Sequence, residues 1–140
     1  MEAQIASLCD SASDYNGKLC LLGAFDTVLV QSLPAVHPHC SVALRIVLRD
    51  QDEGEHKLQL AMIDEDGQNQ LPELPPTPIN VKLADNMFFA SQNLVFNLQG
   101  LKFPNAGQYS IDISIDQQII ARIPLQVIKV ERGQYPGTQP

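Results

Sequence analysis

Tryptophan is absent from this 140-residue chain, cysteine occurs three times, and nine Lys and Arg stand against sixteen Asp and Glu. The shortage of bases removes two classes of partner. A phosphate backbone is held mainly by Lys and Arg that release counterions, and an anionic membrane surface attracts the same groups, so neither nucleic acid nor membrane is expected. Cys9, Cys20 and Cys40 are odd in number and widely spaced, unlike a disulfide framework or a C-x-x-C zinc site, and they read as reduced thiols. The most concentrated apolar run, Leu19 to Phe25, falls far short of the ~20 residues that cross a bilayer. Glu2 stands where a signal peptide carries positive charge, and no apolar h-region follows it; the expectation is a soluble, cytoplasmic protein. A G-x-S-x-G elbow, a Gly-rich phosphate loop and an H-E-x-x-H helix are also missing. No catalytic residue is therefore assigned, no cofactor is implied, and a non-enzymatic role is expected.

What is present is a globular balance, 44% hydrophobic and 18% charged residues, in a length that suits one domain. Apolar residues recur with period two along nearly the whole chain, without a 3.6-residue stripe, which predicts an all-β domain. Strands are expected over residues 3–9, Lys18 to about Gln31, Ser41 to Arg49, and around Leu58, Leu60 and Met62. Further strands follow at Ile79 to Leu83, around Leu94, Phe96 and Leu98, at Tyr109 to Ile115, and at Ile119 to about Val130. Pro34 and Pro38 are expected to end the second strand by removing ladder donors, and Gly23 to mark a bulge or close-packing point. Pro72, Pro75, Pro76 and Pro78 predict an extended loop, Asp116-Gln117-Gln118 a tight turn, and Pro124 an edge strand or bulge. About seven to nine mostly antiparallel strands suggest a two-sheet sandwich. Residues 1–131 would form this single domain and residues 132–140 a flexible tail.

The segment Asn105-Ala106-Gly107-Gln108-Tyr109-Ser110-Ile111 resembles the E-to-F corner of immunoglobulin-like sandwiches, D-x-G-x-Y-x-C. That resemblance implies structural roles for Gly107 and Tyr109, with the tyrosine hydroxyl turned back to a main-chain group. Ile111 takes the place of the second cysteine, so no intersheet disulfide is implied. Over nearly the whole chain, Gly17-Lys18-Leu19, Leu22-Gly23-Ala24-Phe25-Asp26, His56, Asp64-Glu65-Asp66-Gly67 and Gly107-Gln108-Tyr109 look like an uncharacterised family of small bacterial proteins. This second resemblance implies a small all-β fold and no established activity. Together they point to an immunoglobulin-like β-sandwich.

Acidity is local. Residues 1–75 carry 12 acids and 4 bases, whereas residues 76–140 carry 4 acids and 5 bases. Clustered loop carboxylates can hold Ca²⁺, which makes Asp50, Asp52 and Glu53 candidate ligands. If the third and fourth strands form a simple hairpin, Asp10, Asp14, Asp85 and Asp116 fall at the same end. The D-x-D-x-D-G spacing is matched only at its start, Asp50-Gln51-Asp52, and solvated turns explain the same acids. His37-Pro38-His39-Cys40 is the other cluster, because alternate positions of an extended chain point the same way and two imidazoles there could share a metal. No acid follows His39 before Asp50, and the cluster reads rather as a Pro-fixed turn whose imidazoles meet solvent.

Strong core patterning without convergent catalytic groups leads to an expected interaction or assembly module, with a protein partner or self-association as a homodimer. Exposed sheet edges pair with other chains. The last strand, apolar on both faces around Pro124, is the expected contact. The alternative is a sandwich that binds a divalent cation or small ligand through its acidic loops.

Overall fold

The computed structural model describes residues 1–131; the tail expected over residues 132–140 lies outside the described residues. The strands are β1 (Glu2–Tyr15), β2 (Lys18–Ala24), β3 (Thr27–Val30), β4 (Ala35–Leu48), β5 (Gly54–Ile63), β6 (Thr77–Val81), β7 (Ala90–Phe103), β8 (Gly107–Ile115) and β9 (Gln118–Lys129). They form a four-stranded sheet, β2-β1-β4-β7, and a five-stranded sheet, β3-β9-β8-β5-β6. Pairing is antiparallel except between β3 and β9. The period-two pattern thus translates into an all-β, two-sheet sandwich. Among the described residues no helix is long and apolar enough to cross a membrane.

The core is made where the apolar faces meet. Val42, Leu44, Ile46 and Leu48 of β4 belong to one buried cluster with Leu58 and Met62 of β5, Phe103 of β7, and Ile111, Ile113 and Ile115 of β8. That opposition overturns the simple hairpin suggested for β4 and β5. β4 pairs with β1 and β7, whereas β5 pairs with β6 and β8. Each strand has one strongly apolar face, and covering those faces against each other requires two stacked sheets rather than neighbours in one. The short 3-10 turn Asp50–Asp52 carries the chain across, with the Asp52 carboxylate accepting the Arg49 amide at 2.8 Å.

The long second strand expected from Lys18 to Gln31 is two strands in different sheets. β2 ends just beyond Gly23, which has φ of +70°. The chain then crosses, the Phe25 amide donating to the Leu8 carbonyl and the Gln126 amide to the Asp26 carbonyl. Pro38 does not end a strand either. It lies inside β4, opposite Gly100 of β7, and the ladder skips both. Side-chain alternation reverses there, since Leu98, Leu101 and Phe103 are all buried.

β1 runs beyond residue 9 to a two-residue turn in which Asn16 and Gly17 both have positive φ, the geometry that matches strand twist in tight hairpins. Glu2 to Cys9 pair with Val47 to Ser41, so a straight strand would carry this turn past Cys40. Instead the Arg45 guanidinium donates to the Gly17 carbonyl at 3.0 Å, and the Asn93 amide donates to Asp14 Oδ1 at 2.6 Å. The β1–β2 arm therefore doubles back over the outer face of β4. This explains why Ser41, Ala43 and Val47 are buried along with their core-facing neighbours.

At the opposite end of β8 from Asp116, the Tyr109 hydroxyl donates to the Asn105 carbonyl at 2.6 Å, and the ring meets Phe103 edge-on at 5.3 Å. Gly107 has φ of +141°, and an added Cβ would stand 2.7 Å from Glu65 Oε1. That carboxylate accepts the Gln108 amide at 2.8 Å.

Candidate interaction surface

Asp50, Asp52 and Glu53 each accept a donor from the protein itself. Asp50 accepts the Gln51 amide at 2.9 Å, Glu53 accepts the Leu83 amide at 3.3 Å, and Asp52 takes the Met1 ammonium at 3.2 Å in addition to the Arg49 amide. Asp116 joins this end of the sandwich through His56. His56 Nδ1 lies 2.6 Å from Asp116 Oδ2, and Nε2 lies 2.6 Å from the Asp52 carbonyl. Asp14 is bonded to Asn93 instead, and Asp10 lies beside Gly23. Among the described residues no three His, Cys, Asp or Glu side chains gather as metal ligands would. His37 packs its ring on Phe25 at 5.5 Å, while His39 is exposed. Cys40 lies in the core, where burial pushes its thiol up to about 11.

Both nitrogens of His56 face acceptors, which favours the imidazolium. The hydrogen bond to Asp116, followed by that to the Asp52 carbonyl, raises the His56 pKa above its ordinary 6.5. The same contact, followed by the Lys57 amide, holds Asp116 below the usual carboxylate range. Because the folded-state value for His56 is raised, its contribution to stability is fully present below about 6.5 and is lost as pH rises through the folded-state value. Wild-type protein is therefore expected to lose denaturant resistance as pH rises above about 6.5, with a flatter profile for His56→Gln. Parallel profiles for the two proteins would show that the bridge contributes nothing.

The least satisfied surface lies elsewhere. β7 pairs with β4 from Ala90 to Phe103, and no described strand occupies its other side. Its single charged residue is Lys102. Met87, Phe88 and Phe89 immediately precede it and are 49%, 91% and 48% exposed. The loop is anchored at its base, with the Met87 amide donating to the Ala84 carbonyl at 3.0 Å. The Arg49 guanidinium lies 5.9 Å from the centroid of the Phe89 ring. Along the far half of β7, a cavity of about 530 Å³ separates Asn97–Lys102 from the Pro-rich stretch Gln70–Leu74.

The contact expected on β9 has less to offer. Ile123, Leu125 and Val127 are buried, Ile120 and Ala121 are partly buried against the core, and Ile119 is 47% exposed. The alternation in β9 therefore serves mainly the core. The exposed triplet had a sequence signal of its own: three large apolar residues directly after the turn dipeptide Asp85-Asn86, without polar alternation. A turn has little surface on which to pack such a run.

Residues 4–128 match the model of a family of unknown function, DUF6941. Comparison with curated proteins and with solved structures gives no match.

Proposed function

We propose, from the premise that this chain belongs to the family of unknown function DUF6941, that it is a non-enzymatic interaction or assembly module of the bacterial cytoplasm. The exposure of Met87, Phe88 and Phe89 beside an unpaired strand edge carries the reading. Three consecutive large apolar side chains in water are costly to keep solvated, and contiguous patches of this kind mark contact sites. Covering Phe88 alone would contribute ~1.5–3 kcal/mol to an association. The immunoglobulin-like corner at Gly107 and Tyr109 serves in this reading as scaffold, holding the turn between β7 and β8.

Native mass spectrometry of protein purified without chelator tests the proposal, together with quantitative binding of the protein chain it retains. The expected result is a protein–protein complex that Phe88→Ser weakens at least about tenfold, with the fold unchanged because Phe88 is almost fully exposed. A unit-stoichiometry metal or small molecule, retained without any protein partner, would replace this reading with the ligand-binding alternative.

A further inference from the structure

Resting on that reading, we infer that the partner of β7 is a second copy of this chain, joined by antiparallel pairing of the two β7 edges into one continuous eight-stranded sheet. The edges of the sandwich are not alike. β3 has four residues, β6 has five and includes Pro78, and β2 belongs to the doubled-back arm. The part of β9 left unpaired by β3 carries Arg122 and Pro124. Short length, charge and proline are the devices that keep edges from pairing. β7 has fourteen residues with neither proline nor a charge before Lys102.

Its chemistry fits a like copy. The molecule as a whole carries −7, so two copies repel except where a neutral strip allows approach, and Ala90 to Leu101 is such a strip. A two-fold axis across the strand places the beginning of one β7 against the end of the other. In that arrangement the partner's Lys102 meets the loop of Asp85, Phe88 and Phe89, giving its ammonium a carboxylate and an aromatic face. Strand length and charge thus complement themselves under one symmetry operation, as an isologous interface requires.

Sedimentation equilibrium of the full chain, from micromolar to sub-millimolar concentration, tests this. Wild type is expected to dimerise, and the double variant Ser91→Lys/Gln99→Lys to raise the dimer dissociation constant at least about 100-fold. Amide hydrogen exchange on wild-type protein needs no variant: protection within β7 should rise with concentration, in parallel with the dimer fraction. A wild-type monomer throughout the range overturns self-pairing, as does a dimer indifferent to the two lysines or without added protection in β7. A monomer that still binds a different chain in a Phe88-dependent manner would overturn the self-pairing while leaving the module reading intact.

Discussion

Phe103→Ala is expected to destabilise the protein by about 3 to 5 kcal/mol, the usual range for removing a fully buried phenylalanine from a core. Phe103 is completely buried at the end of β7, where its ring receives the edge contact of Tyr109. The Tyr109 hydroxyl bonds the Asn105 carbonyl, so the two rings tie the β7–β8 turn to the interior. Truncation removes the transfer energy of the ring and leaves a cavity that a corner fixed by Gly107 cannot easily fill. Equilibrium denaturation with an unchanged slope checks it. A loss below about 1 kcal/mol would mean that the corner is far more yielding than close-packed interiors usually are.

Arg45→Ala carries the second large effect. The guanidinium donates to Gln4 Oε1 at 2.8 Å, the Gly17 carbonyl at 3.0 Å and Asn93 Oδ1 at 2.7 Å. One side chain thus joins β1, the tip of the arm and β7. Hydrogen bonds to a charged donor contribute ~1.5–3 kcal/mol each at most, and partial exposure and shared geometry reduce their sum. A loss of about 2 kcal/mol is expected, accompanied by at least about tenfold faster amide exchange across residues 10–24, since the arm loses its anchor without losing its own ladder. Unaltered exchange in that segment would show that apolar cover by Leu19 and Leu21 holds the arm down unaided.

The strands were largely legible because each carries its alternation in a few consecutive residues, as Tyr109 to Ile115 does. Sheet membership was not. The division of Lys18–Gln31 into β2 and β3 depends on where Phe25 and Asp26 find main-chain partners, and these are Leu8 and Gln126. Pro38 read as a terminator because only its missing donor is local; the compensating Gly100 lies across the ladder, more than sixty residues away. The His56–Asp116 bridge spans 60 residues and has no spacing signature. The exposed triplet is different, since its composition and its place after a turn were both visible in the chain. It was obscured by the stronger alternation that follows.

The parallel pairing of β3 with β9 has a consequence for synthesis. Thr27 and Gln126, which bond to each other through their side chains, are 99 residues apart, and β9 follows all the other described strands in the chain. While the ribosome is still extending the chain, β3 has no ladder partner and β8 lacks the neighbour that supplies Ile123, Leu125 and Val127 to the core. Sheets built on such distant contacts close slowly, and their unfinished edges invite association. The five-stranded sheet is therefore completed only once Gln118–Lys129 has been made, since β3 and β8 both take that strand as a ladder partner.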